Sequence, residues 1–313
     1  MKLAIDSYCY HRWFGEIYPN LETDPGARMT TDDFFARAKA YRVEGVSLES
    51  CFFPAIDERV VSDLRERCDA LGLERVWAWG HPHGLRSGSD PAAAADLIRH
   101  LGVAASLGAK VMRICCGGRR TRPPSWTAHR QALLPMLRRI VAAAETNGVV
   151  VAIENHIDLT ADELVEIVTT IDSPWLGVCL DTGNNLRMLE DPMVAAQKLA
   201  PFARATHIKD LAARSGDPKE FSFWPSVPLG TGLIDIPTIL GYLRDARYDG
   251  LLALEIDYLH PRYPDTEAAI RDSLDYLRAL LQRTIGEVSG NTHSSAAGIS
   301  SKYSLPAAAG PAP

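Results

Sequence analysis

The chain has 313 residues, enough for one large α/β domain or two small ones. Hydrophobic residues make up 46% and charged residues 23%, the profile of a soluble globular protein and not of a disordered or fibrous one. A net charge of −6 gives no general attraction to nucleic acid or to an anionic membrane, although it leaves room for a local anion site. No apolar run reaches the roughly 18 to 20 residues of a transmembrane helix. The opening MKLAIDSYCYHR lacks an extended apolar stretch, so no signal peptide is expected. The six cysteines form no C-x-x-C pair and no disulfide-framework spacing, and several sit in apolar runs as small buried hydrophobes. A cytoplasmic location is the expectation.

Short runs rich in β-branched residues alternate with longer stretches of helical spacing. The strands are expected at 3–6, 45–50, 75–79, 110–115, 149–155, 176–181, 205–210 and 251–257. Helices are expected at 31–42, 55–71, 91–107, 126–147, 160–171, 191–199, 236–246 and 265–284. Asp90-Pro91 and Asp191-Pro192 read as an N-cap followed by the first helical residue, and Asn147-Gly148 as a helix stop. Eight β-α units in series imply parallel strands, since each helix supplies the crossover. A closed (β/α)₈ TIM barrel over residues 1–284 is the expected fold, as a single domain. The alternative is an open doubly wound sheet, which the lack of G-x-G-x-x-G after the first strand disfavours.

Two segments break this rhythm. Residues 8–30 form a long loop after the first strand, carrying several aromatics and a histidine; such loops are functional or disordered, and the aromatics argue against disorder. Residues 285–313 are rich in Gly, Ser, Ala and Pro and are expected to be a disordered tail.

Functional residues of a β/α barrel gather at the C-terminal strand ends. The last four strands end in Glu154, Asp181, His207 and Glu255. Each would be costly to bury unpaired. Sharing one divalent ion solves that for all four, and the oxygen-rich set suits Mn²⁺ or Mg²⁺ while admitting Co²⁺ or Zn²⁺. The alternative is four separate rim residues. His156 follows Glu154 by two, so on a strand both face one side, and a histidine there can act as general base. It can equally be a rim histidine bonded to a neighbouring loop. Asp257 stands in the same relation to Glu255, to hold the base, bind a substrate hydroxyl or support its neighbours. Lys209 shares the parity of His207, to meet a developing oxyanion or simply to form an ion pair.

The segments I-E-N, L-D-T-G-N, H-I-K-D, G-T-G-L-I-D-I-P and L-E-I resemble the sugar phosphate isomerase/epimerase group of xylose-isomerase-like barrels, over residues 1–284. That resemblance implies one Mn²⁺, Mg²⁺ or Co²⁺ on the same four positions. It also implies a keto-sugar substrate that loses the proton next to its carbonyl. One position departs from the pattern: Asn184 stands where ketose 3-epimerases of this group carry a substrate-binding histidine. With His156 as an added base on one face, isomerisation, dehydration or β-elimination suits the chain at least as well as epimerisation.

The stretch S-Y-C-Y-H-R-W-F-G-E-I-Y-P, with I-E-N-H, is similar to the α subunits of bacterial C-glycoside deglycosidases. That similarity implies cleavage of a 3-oxo-glycoside by β-elimination and a small β-subunit partner; otherwise a homo-oligomer is expected. Tyr8, Tyr10, Trp13 and Phe14 would then stack on a flat aglycone, or alternatively pack against the barrel. His81-Pro82-His83 lies on the expected rim, as substrate contact or plain turn. Gly117-Gly118-Arg119-Arg120-Thr121-Arg122 reads as an anion-binding or partner-binding loop or a solvated one. An apurinic endonuclease would need more strand-end histidines, and a sugar-binding barrel without turnover is the remaining class.

Overall fold

The computed structural model describes residues 1–53 and 55–290. Among the described residues eight strands form one closed sheet: β1 (Lys2–Asp6), β2 (Gly45–Glu49), β3 (Glu74–Ala78), β4 (Val111–Ile114), β5 (Val150–Glu154), β6 (Leu176–Asp181), β7 (Ala203–Ile208) and β8 (Leu251–Leu254); Asp210–Leu211 and Ser226–Val227 make a small antiparallel pair outside it. All neighbours are parallel, and β1 pairs with both β2 and β8, which closes the barrel and excludes the open sheet. The eight major helices lie where the periodicity places them. They begin with Thr31–Ala40 and end with Thr266–Gly290, which continues past the expected boundary at 284. Residues 291–313 of the expected tail lie outside the described residues.

Local chemistry starts and stops these helices. Thr30 with Asp33, and Thr160 with Glu163, form reciprocal capping boxes. Asp90 and Asp191 each accept two backbone N–H bonds ahead of a proline. Gly148 ends the helix Trp126–Asn147 in the left-handed conformation.

Two layers of packing result. Leucine, isoleucine and valine from the outer strand faces pack against the helices. Inside, Ala4, Val76, Ala152, Cys179, Ala205 and Ala253 make a separate, small-residue layer. Two residues further along those strands, at the same parity, stand Asp6, Ala78, Glu154, Asp181, His207 and Glu255. The barrel therefore changes from apolar to charged within one layer, toward the C-terminal end. No helix among the described residues is long and apolar enough to cross a membrane. All six cysteines are free.

The connection after β3 braces the end of β4. Leu85 N and Ser87 N donate to the carbonyls of Cys115 and Cys116, at 3.2 and 2.8 Å. Gly88 completes this turn at φ +88°, and a Cβ there would lie 2.6 Å from the Ala132 carbonyl carbon. Gly88→Ala is expected to lower unfolding free energy by about 2–4 kcal/mol, combining positive-φ strain with overpacking. Denaturant titration would show it; a change below about 0.5 kcal/mol, the range of an inert surface substitution, would contradict this role for the turn.

Candidate metal centre

Glu154, Asp181, His207 and Glu255 converge at the C-terminal end of the barrel, all buried, with one ligand-type atom from each within 4.8 Å of the others. The His207 Nδ1 lies 2.8 Å from Glu255 Oε2, 3.7 Å from Glu154 Oε2 and 4.0 Å from Asp181 Oδ2. Asp181 Oδ2, His207 Nδ1 and Glu255 Oε2 are buried and make no well-aligned hydrogen bond, with the Lys209 ammonium 3.0 Å from both oxygens as their charge partner. Buried polar atoms left this way are costly, and their convergence fits a divalent cation. Parity explains the convergence: Asp181 pairs with His207, while Glu154 pairs with Cys179 and His207 with Ala253, so Glu154 and Glu255 stand two residues out of register with their neighbours but on the same inward face.

The remaining atoms of the cluster are held from behind. Asn184 Nδ2 donates to Glu154 Oε1 at 2.8 Å, and the backbone N–H groups of Gly183 and Asn184 both donate to Asp181 Oδ1 at 2.8 Å. His207 Nε2 lies 3.3 Å from Asp6 Oδ2, so a buried carboxylate orients the ring with Nδ1 facing the cluster. Asn184 is thus a positioning residue here, with its amide turned onto a carboxylate. Lys209, also buried, lies 3.0 Å from both Asp181 Oδ2 and Glu255 Oε2 and 3.2 Å from Asp257 Oδ2. Burial opposes its charge, but these three carboxylates hold the ammonium well above its ordinary pKa. Burial likewise raises the Asp181 carboxyl against the pull of Lys209. In Glu255 the pull of Lys209 and His207 overcomes burial and holds the group low.

Asp257 is fully engaged. It takes Arg187 through both oxygens, at 2.7 and 3.1 Å, and Ser226 Oγ at 2.6 Å. It anchors Lys209 and Arg187 and has no free face toward a substrate hydroxyl. His156 lies just beyond β5, where its backbone N–H turns back to the Glu154 carbonyl at 2.8 Å. It shares a side with Glu154 through this turn, not through the strand pleat. Its Nδ1 lies 3.0 Å from the Gly117 carbonyl oxygen, which can only accept. Nδ1 therefore carries a proton, and in the neutral ring Nε2 is the acceptor.

Four groups that strand-end reasoning missed complete the interior: Asp6, Glu49, Arg113 and Arg187. Arg113 pairs with Glu49 and reaches Glu154 Oε2 at 3.3 Å. Burial pushes the Glu49 carboxyl up to about 8, with the Arg113 charge pulling the other way. The inward parity of the first four strands carries the signal for Asp6, Glu49 and Arg113. Arg187 has none, because it sits on the short helix Asn184–Arg187.

The aromatic loop divides in two. Tyr8 and Tyr18 share a hydroxyl contact at 2.7 Å, and Tyr18 packs 4.7 Å from Phe221, on the loop after β7. The Arg187 guanidinium lies 4.3 Å from the same Phe221 ring, so these aromatics border the polar centre. Tyr10 and Trp13, expected to stack on substrate, face elsewhere. Tyr10 is completely buried, donating to Glu267 at 3.0 Å and packed against Phe34 and Trp13. The chain turns helical directly after β1, and this swings alternate aromatics back onto the helices. In the 117–122 loop, Arg119 bonds the Arg187 carbonyl and Arg122 grips Glu163 with both terminal nitrogens, so neither is free for an anion.

The sequence profile described as xylose isomerase-like TIM barrel matches residues 35–280. A curated relative, 3-oxo-isoapionate decarboxylase of Pectobacterium atrosepticum, is 29% identical over 191 residues, 61% of this chain and 64% of that protein. The chain thus matches somewhat less than two thirds of the relative's length. Among solved structures, a xylose isomerase domain protein from Planctomyces limnophilus aligns with a TM-score of 0.72 at 19% identity, covering 91% of this chain and 98% of that one. A 3-keto-D-glucoside 4-epimerase from E. coli aligns at 0.64 and 17%, covering 89% and 99%. At such identities these two structures bear on the fold alone.

Two substitutions probe the centre. Glu255→Gln removes a charged donor and is expected to abolish stoichiometric Mn²⁺ binding in calorimetry. Asn184→Ala leaves every donor in place but frees Glu154, and is expected to weaken binding about 10–100-fold. Unchanged affinity in both would mean that the cluster does not hold the ion.

Proposed function

The chain belongs to the xylose isomerase-like TIM barrel family, and from that premise we propose that it is a divalent-metal-dependent enzyme acting on a keto sugar. The proposed reaction is cleavage of a 3-oxo-C-glycoside by β-elimination, with this chain as the catalytic α subunit beside a small β subunit. The observation that carries the reading is a single fixed base beside the cluster: His156, with Nδ1 bonded to Gly117 and Nε2 the acceptor of the neutral ring.

Glu154, Asp181, His207 and Glu255 would hold the ion, proposed as Mn²⁺, which when bound supplies Lewis acidity to neighbouring sugar oxygens. His156 Nε2 takes the C2 proton, acidified by the C3 ketone. The electron pair left at C2 forms the C1–C2 double bond as the bond from C1 to the aglycone carbon breaks. The aglycone carbon keeps that bonding pair and picks up a proton, so the sugar leaves as an enone. Lys209 and Arg187 stay charged and offset the negative charge that gathers around the ketone oxygen, while Asp257 keeps both in place. Tyr8, Tyr18 and Phe221 pack on one another and on His11 and Phe52 at the border of the site, and an aglycone would meet the edge of this aromatic cluster.

The curated relative, a decarboxylase named for a 3-oxo substrate, supports a substrate that carries a ketone. Loss of a proton or of carbon dioxide beside a ketone leaves the same electron pair to be stabilised. The second reading is a sugar isomerase or epimerase on the same centre, favoured by membership of the xylose isomerase-like family.

His156→Ala is expected to keep full metal content and lose about 10² to 10⁴-fold in kcat, the usual size of a general-base contribution. A near-normal rate would remove His156 from the reaction. Substrate class is decided by incubating the metal-loaded chain, with and without its small subunit, with a 3-oxo-C-glucoside, a 3-oxo sugar acid and free ketoses. Aglycone release supports the lyase; carbon dioxide release alone, or ketose interconversion alone, overturns it.

A further inference from the structure

Beside the four-residue cluster stands a second group of donors with different chemistry. Cys115 immediately follows β4, and its Sγ lies 3.5 Å from Glu154 Oε2. Ligand-type atoms of Cys115, Glu154 and His156 all lie within 4.8 Å of one another. A tetrahedral ion holds such donors roughly 3.3–3.8 Å apart, so motions on the order of 1 Å would close the group around one. His156 is already set as a ligand: its Nδ1 proton goes to a backbone carbonyl, as metal-bound imidazoles commonly arrange, and Nε2 is left for the ion. Arg113 Nη1 lies 3.5 Å from the same sulfur, but burial and the Glu154 charge hold the thiol well above its ordinary range, so an ion bound here would displace the thiol proton.

A second observation points to a missing cation. Asp158 is wholly buried, and neither of its carboxylate oxygens has a hydrogen-bond partner. Burial pushes its carboxyl up to about 6, against the pull of His156 and Arg122. His156 and Arg122 offset part of this buried charge, and a cation held by its neighbours would offset more.

We propose that Cys115, Glu154 and His156 form a second divalent-cation site that shares Glu154 with the first and selects a thiophilic ion such as Zn²⁺ or Co²⁺. Sulfur and imidazole distinguish it from the oxygen-rich cluster, which suits Mn²⁺ or Mg²⁺. Glu154 and the Cys115 ligand side are buried and His156 is half-buried, so the site meets solvent on the His156 side. Filling it occupies Nε2 of His156. If His156 is the base, as proposed above, excess Zn²⁺ inhibits the Mn²⁺ enzyme by withdrawing that base.

The test is a Co²⁺ titration of the metal-free full-length protein, followed by calorimetry and by the near-ultraviolet thiolate-to-cobalt charge-transfer band. Two equivalents with the thiolate band are expected for the wild type. Cys115→Ser is expected to bind one equivalent without the band, and His156→Ala to weaken the thiolate-bound ion at least about tenfold. A single equivalent in the wild type, or two equivalents in Cys115→Ser, overturns the proposal. Alkylation mapped by mass spectrometry covers the case in which Cys115→Ser fails to fold. Zn²⁺ added to the Mn²⁺-saturated wild type should protect Cys115 and not the exposed Cys51; equal labelling of Cys115 with and without Zn²⁺ overturns the site. Turnover separates the two readings. A second ion bound with no loss of rate supports the site and removes His156 as the base.

Discussion

The structure depends on how a barrel only eight strands wide buries carboxylates at one end. Asp6, Glu49, Glu154, Asp181, Glu255 and Asp257 are all nearly inaccessible, and the permanent cations buried among them are Arg113, Lys209 and Arg187. Twice as many carboxylates as cations is not a stable arrangement in a low-dielectric interior. A divalent ion would remove most of the surplus, and burial lessens it further by pushing the Glu49 carboxyl up against the pull of Arg113. The charge problem and the chemistry therefore have one solution: the groups hardest to bury are the ones an ion would organise.

Small side chains make this possible. The inner layer is mainly alanine, with Cys179 and Val76, and above it the same inward positions carry charge. Alanine neighbours leave room for Asp6 to reach His207 from two strands away and for Arg113 to reach both Glu49 and Glu154. The residues behind the cluster are tied down in turn. Asn155 links the Asp181 backbone to Asn185, while Asn184 ties Glu154 to the turn after β6. A histidine at position 184 could extend into the mouth, whereas the shorter asparagine amide ends on Glu154.

Much of the fold was legible because barrel elements declare themselves locally. Eight β-branched runs, aspartate-proline helix starts and a glycine stop each carry their own periodicity or cap chemistry. The four converging strand ends were legible for the same reason, since strand parity and parallel order place them on one inward face. Tyr10 and Trp13 were not. Their aromatic character was clear, but the direction of each ring depends on the helical turn that follows β1. Asp257 looked free in sequence because nothing local reveals Arg187, seventy residues earlier and on another loop.

By itself the sequence determined the layering of this protein: which residues alternate inward on eight strands, and that the last four end in Glu154, Asp181, His207 and Glu255. Those are one-dimensional properties, set by a period of two and by chain order. Only the tertiary structure decided which polar atoms are satisfied and which are left over. Closing the barrel brings Asp6 to His207, Arg113 to Glu154 and Gly117 to His156, partners separated by tens to hundreds of residues. Satisfaction of a buried group is a matter of three-dimensional distance. The acceptor role of His156 Nε2 and the poorly aligned polar atoms of the four-residue cluster therefore exist only once the ends of the sheet have met.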